Sequence, residues 1–141
     1  VPFYVEGGFN AVGVKDVAMG HWLAALHGRV GRRYILGAEN MTYLQFVQRV
    51  AGISGVKVPK LRAPRDLLLR LGRLNEYVAD NVTHRTPFMA ESSLRYTVGR
   101  DLFFDCTRAK SELGYEPRPV DEAISEAVDW FRERAALRKR G

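Results

Sequence analysis

The chain has 141 residues, 46% apolar and 27% charged, which suits one globular unit with a core of modest size and excludes a disordered or low-complexity polypeptide. Its net charge of +6 leaves a basic partner surface to be weighed, while a single cysteine, Cys106, excludes an internal disulfide. No apolar run reaches the roughly eighteen residues of a membrane span, and no basic-then-apolar opening marks a secretory signal, so a cytoplasmic protein is expected.

The chain opens on Val1 rather than Met, with an apolar Val1-Pro2-Phe3-Tyr4-Val5, which points to a processed product or a piece of something longer. Asn10 to Val14 alternates weakly and predicts a short strand. Asp16 suits a helix N-cap, since its carboxylate can accept the free N–H groups of a first turn, and a helix from about Val17 to His27 should follow, stopped by Gly28. Arg33-Tyr34-Ile35-Leu36 reads as a strand ending at Gly37.

Thr42 with Gln45 three residues on is the capping-box pattern, and Met41 with Phe46 stand where a hydrophobic staple would be. That helix should run to Ser54, bury Phe46, Val47, Val50 and Ile53, and stop at a left-handed Gly55. Lys57 to Leu61 should be extended. Leu67, Leu68, Leu71, Leu74 and Val78 recur at helical spacing after Pro64 and predict a helix starting there or at Arg65. Asn81 to Pro87 reads as a loop, Ala90 to Tyr96 as a weak helix, and Leu102-Phe103-Phe104 as a strand.

Asp105 or Thr107 can cap a short helix ending at Leu113, with Gly114 as its stop; Pro117 and Pro119 bar continuation. In the last helix Val120, Ile124, Ala127, Val128, Phe131 and Ala135 form one core-facing stripe. No repeat or linker interrupts the series, so residues 1–141 are expected to form a single unit.

The positive charge falls in three clusters: Arg29, Arg32 and Arg33; Lys57 to Arg73; and Arg132 to Arg140. None has the interleaved aromatic residues of a base-stacking surface or the Cys/His spacing of a zinc finger, and the last sits at a helix C-terminus, where the dipole favours cations. Solvated surface is therefore the expected role, and a nucleic-acid face is disfavoured. His21 and His27 are six apart, off any shared helix-face spacing for a metal; His21 is expected to be partly buried and Cys106 to be a buried, inert thiol.

The order of these features, with Asp16-Val17-Ala18, Tyr34-Ile35-Leu36-Gly37, the Thr42-capped helix, Asp105…Lys110…Leu113-Gly114-Tyr115…Pro117 and a terminal Trp130-Phe131 helix, resembles the extended short-chain dehydrogenase/reductases. Within them it is most similar to the NAD-dependent epimerase/dehydratase group, in the branch of dihydroflavonol reductases and hopanoid-associated sugar epimerases. The resemblance implies an α+β, mostly helical C-terminal substrate-binding lobe, with one or two short strands from the end of a Rossmann sheet. It implies NAD or NADP in the parent enzyme, with none bound by this chain alone, and a small-molecule substrate, either a sugar nucleotide or a hydroxy-ketone. In the family Tyr34 to Gly37 is an outer strand of the Rossmann sheet, so an exposed strand edge and self-association through it are expected.

The family's catalytic Tyr-x-x-x-Lys is not here. The residues four after each tyrosine are Gly8, Ala38, Val47, Asn81, Arg100 and Pro119, and the glycines nowhere give the pyrophosphate turn. Sugar-nucleotide epimerases often carry an Arg and a His where this chain has Phe9 and Gly13, and a second phosphate-gripping Arg where Arg95 stands. The candidate substrate-binding residues are accordingly Arg95, Arg100, His84, Phe9 and Asn10, with no catalytic, cofactor or metal residue assigned. The competing class is a stand-alone basic helical module that binds nucleic acid or an acidic protein.

Overall fold

The computed structural model describes residues 3–78 and 96–138. The fold is α+β and mostly helical, as expected. In chain order the elements are β1 (Phe3–Tyr4), β2 (Gly8–Ala11), α1 (Val14–His27), β3 (Glu39–Thr42), α2 (Tyr43–Ser54), β4 (Leu61–Arg62), α3 (Arg65–Val78), β5 (Asp101–Leu102), α4 (Thr107–Leu113) and α5 (Val120–Arg138). Among the described residues no helix is long and apolar enough to cross a membrane.

The organising strand is β2. It pairs antiparallel with β3, matching Phe9 to Met41 and Asn10 to Asn40, and parallel with β5, matching Gly8 to Asp101 and Phe9 to Leu102. A separate two-stranded pair joins β1 and β4 in parallel. Side chains alternate across a strand, so Phe9, Ala11 and Met41 share a face. That face packs on α2 and α5 in a core of Ala11, Met41, Val120 and Ile124, flanked by Phe46, Val50 and Val128. A second core joins α4 to α1, with Ala109, Leu113 and Tyr115 against Leu23, Ala24, Tyr34 and Leu36.

Helix α2 begins and ends as the sequence implies, but Phe46, Val47, Val50 and Ile53 are only partly buried and the buried residue is Ala51. The Gln45 backbone N–H donates to Thr42 Oγ1 at 3.1 Å, the Thr42 N–H donates to Gln45 Oε1 at 2.8 Å, and Gly55 closes the helix with φ +76°. The Glu39 carboxylate at the start of β3 accepts the Val120 N–H at 3.1 Å, so a residue far off in sequence satisfies the amino end of α5.

Four local expectations are corrected. Helix α1 starts at Val14 with Gly13 at its cap, not at Asp16, which lies inside the first turn and is buried. Arg33 to Leu36 forms no strand, because no ladder partner reaches it among the described residues. Tyr34 and Leu36 instead turn inward to the α1–α4 core, and the Tyr34 hydroxyl donates to Glu112 at 2.9 Å. The expected exposed strand edge is thus not formed there. The strand near Phe103 ends two residues early, since Asn40 takes over the backbone of Phe104: its Oδ1 accepts the N–H at 3.1 Å and its Nδ2 donates to the carbonyl at 3.0 Å. His21 is exposed rather than partly buried, its Nδ1–H donating to the Val17 carbonyl at 2.8 Å.

Two further features depart in degree. On α5 Val120, Ile124 and Val128 face the core, whereas Ala127, Phe131 and Ala135 of the expected stripe are exposed. On α3 Leu68 is buried, whereas Leu67, Leu71 and Leu74 are exposed. Asp105 acts just before α4, accepting the Thr107 N–H at 2.8 Å, and Gly114 ends that helix with φ +67°. Cys106 is buried and unpaired. The loop expected over Asn81 to Pro87 and nearly all of the helix expected over Ala90 to Tyr96 lie outside the described residues.

Candidate functional site

Three of the five sequence candidates meet around β2. Phe9 points with Ala11 toward α2 and α5 and helps line a groove of about 520 Å³. Its ring stacks on Tyr43 with centroids 5.2 Å apart and meets Phe46 edge-on at 5.3 Å. Phe46, Val50, Ile124, Val128 and Phe131 form the walls, and Asn10 is the one polar residue among the lining. Such a surface can bind an apolar body and offers little to a phosphate.

Asn10 is adjacent in sequence, but its side chain is used for structure. Its Oδ1 accepts the Ala38 N–H at 3.1 Å and its Nδ2 donates to Asn40 Oδ1 at 2.7 Å, which clips β2 to the chain entering β3. Arg100 arrives beside Gly8 through the parallel β2–β5 pairing, and its carbonyl accepts the Gly8 N–H at 3.0 Å. The guanidinium lies 5.7 Å from the Tyr96 ring centroid. A second hollow of about 420 Å³ opens at this end, lined by Tyr4 to Gly7, Thr42, Leu44, Gly99 and Asp101. His84 and Arg95 lie outside the described residues.

At the other end of β2 stands a charge network the sequence reading did not single out. Arg118 donates from Nε to Asp16 Oδ1 at 3.0 Å and from Nη2 to Oδ2 at 3.1 Å, while its Nη1 reaches Glu126 at 3.1 Å. Lys15 donates to the same Glu126 at 2.9 Å. Arg118 hydrogen bonds hold the Asp16 carboxyl below the usual aspartate range, against the opposing effect of burial. The one available signal was a carboxylate amid apolar neighbours at the start of α1, which needs a cation when buried.

This network also decides whether the strand–helix turn at Gly13 fits a dinucleotide. A pyrophosphate needs free N–H groups and close backbone approach at a helix amino end. Here a Cβ on Gly13 would lie 2.5 Å from Asp16 Oδ2 and 3.1 Å from Ala123, so that end is filled by a carboxylate and covered by α5. The residues at this turn do not fit the pyrophosphate of NAD(P).

No family model matches the chain. It is 32% identical over 135 residues to a dihydroflavonol 4-reductase-like protein of Synechocystis sp., covering 93% of this chain and 39% of that protein. It is 30% identical over 141 residues to short-chain dehydrogenase/reductase family 42E member 1 of Homo sapiens, covering 92% of this chain and 35% of that one. The fold superposes with a TM-score of 0.70 on a nucleoside-diphosphate-sugar epimerase from Pseudomonas aeruginosa, at 25% identity, over 94% of this chain and 38% of the epimerase. The chain therefore spans 35–39% of the length of these three relatives. Agreement of sequence and fold assigns it to the extended short-chain dehydrogenase/reductases, in the NAD-dependent epimerase/dehydratase group, as a C-terminal portion.

Proposed function

We propose that residues 1–141 form the substrate-binding portion of a cytoplasmic NAD(P)-dependent epimerase/dehydratase or dihydroflavonol-reductase-like oxidoreductase, and that this portion is catalytically silent alone. The nucleotide-binding portion, with its Tyr and Lys, would lie outside this chain. The observation that carries the reading is the groove itself, with aromatic and aliphatic walls around Phe9, in a sequence without Tyr-x-x-x-Lys.

In this reading NAD(P) held by the parent's other portion would supply the hydride chemistry, and the present residues contribute position. Phe9, Tyr43 and Phe46 would hold an apolar face of the substrate, excluding water around it, while Arg100 would meet an oxygen or anionic edge. Phe9 in place of a phosphate-gripping Arg favours a hydroxy-ketone of modest charge over a sugar nucleotide. His84 and Arg95 would complete the substrate contacts.

The test is to compare the chain alone with a longer polypeptide that adds the upstream coding sequence. The longer protein is expected to bind NADH or NADPH and the chain alone to bind neither. Tight NADH binding by the chain alone would overturn the proposal. Salt-sensitive binding of random duplex DNA would favour the basic interaction module instead.

A further inference from the structure

The groove has walls from two distant parts of the chain, Phe46 and Val50 on α2 and Ile124, Val128 and Phe131 on α5. Apolar contact is non-directional, so it does not by itself fix how far apart two helices sit. Charged hydrogen bonds do, because they require short distances and set angles. Two such ties join these walls. At the head of β3, Glu39 Oε1 accepts the N–H of Val120, the first residue of α5, at 3.1 Å, and Oε2 accepts from Arg49 Nη1 on α2 at 2.7 Å. The same Nη1 reaches Asp121 Oδ1 at 3.3 Å. At the other end, Arg132 Nη2 on α5 donates to the carbonyl of Ser54, the last residue of α2, at 3.0 Å. Ile124, Val128 and Phe131 stand between the two ties in sequence.

We propose that Glu39 and Arg49 are positioning residues for the groove: their ion pair sets the spacing of α2 and α5, and with it how tightly the apolar body of a substrate is held. The inference rests on the groove being the substrate site, as proposed above. Neither side chain lines the groove, so both act through the walls that do. Glu39 sits on the strand paired with β2 and holds a backbone group of one wall and an arginine of the other. Without the pair the walls can part, and a groove at its binding spacing for only a fraction of the time binds its ligand more weakly by that fraction. Both Arg49 contacts pass through one nitrogen, so the ammonium of a lysine can stand in for it, in contrast to Arg118, which meets Asp16 through two.

The test titrates the chain with Nile red, an uncharged apolar dye, at a temperature where circular dichroism shows every variant folded. The dye is expected to bind, and Ala127→Trp, which fills the groove from its own lining, should abolish the fluorescence signal. Arg49→Met should weaken binding about two- to fivefold, and Glu39→Ala at least as much, whereas Arg49→Lys should bind as the unaltered chain does. Tyr34→Phe, which costs the second core its hydrogen bond to Glu112, should lower stability and leave dye affinity unchanged. No dye binding, or binding indifferent to Ala127→Trp, would overturn the substrate groove itself and the inference with it. Binding that Ala127→Trp blocks, yet that is equal in Arg49→Met and the unaltered chain, weakened as much by Tyr34→Phe, or not restored by Arg49→Lys, would overturn the inference alone.

Discussion

The Asp16 carboxylate takes three hydrogen bonds from one residue 102 positions away, Arg118, through its backbone N–H at 3.3 Å, Nε at 3.0 Å and Nη2 at 3.1 Å. The pair ties the first turn of α1 to the chain entering α5, and so sets how those two helices sit about β2. Its planar, two-point geometry is specific to a guanidinium.

Asp16→Asn keeps the shape and removes the charge. It should destabilise the fold by about 1–2 kcal/mol, below the usual cost of breaking a fully buried pair because Arg118 is partly exposed and keeps Glu126. Urea unfolding checks this. Arg118→Lys should fail to restore stability, since one ammonium cannot meet both carboxylate oxygens; a fully stable lysine variant would refute the two-point role.

Stability should fall in acid for the same reason. Asp16 is held low by Arg118, and Glu39 is held low by the Val120 N–H and by Arg49. A carboxyl whose folded value lies below its unfolded value contributes stability that is complete above the unfolded value and is lost as pH falls through the folded one. The loss should therefore begin below about pH 4. Asp16→Asn and Glu39→Gln should each flatten the acid limb of a stability–pH curve, and parallel curves for variant and parent would contradict this.

Two glycines should respond oppositely to alanine. A Cβ on Gly37 would fall on Asn10 Oδ1 and lie 2.8 Å from Cys106 Sγ, so Gly37→Ala must push apart the clip between β2 and the chain entering β3. A cost of about 1–3 kcal/mol is expected. Gly52, exposed within α2, has open space around its Cβ position. There Gly52→Ala should stabilise by about 0.5–1 kcal/mol through helix propensity. Thermal melts of both variants would settle the contrast.

The Tyr115 hydroxyl is buried without a hydrogen-bond partner among the described residues. Burial, with Asp16 and Cys106 nearby, raises its ionisation above the usual tyrosine value. Tyr115→Phe should thus leave stability unchanged or raise it by up to about 1 kcal/mol. The raised value also means that stability declines as pH climbs past the unfolded tyrosine value of about 10, and the Phe variant should escape part of that decline. A clear loss of stability in the Phe variant would show that the hydroxyl has a partner.

Much of the local structure was legible from neighbouring residues. Thr42, Gln45 and Gly55 delimit α2 because a capping box and a left-handed glycine act within a few residues of themselves. The stop at Gly114 and the stripe from Val120 to Val128 are of the same kind. The family resemblance was legible too, since it rests on the order of such local signals. Of the site, the sequence offers Phe9 and Arg100 as candidates, but it does not show that Phe9 lines an apolar groove or that the Arg100 carbonyl accepts the Gly8 N–H at the start of β2.

What the sequence by itself determined was helical periodicity, helix stops and family, because these depend on contacts within a turn or two. Only the tertiary structure decided that Asp16 is an ion-pair partner rather than a cap, that Asn10 is a clip, and that Tyr34 turns inward without joining a strand. Each of those roles is conferred by a residue far along the chain, Arg118, Ala38 with Asn40, and Glu112 respectively. A carboxylate, an amide or a phenol can accept many partners, and it is the packing of distant segments that selects one.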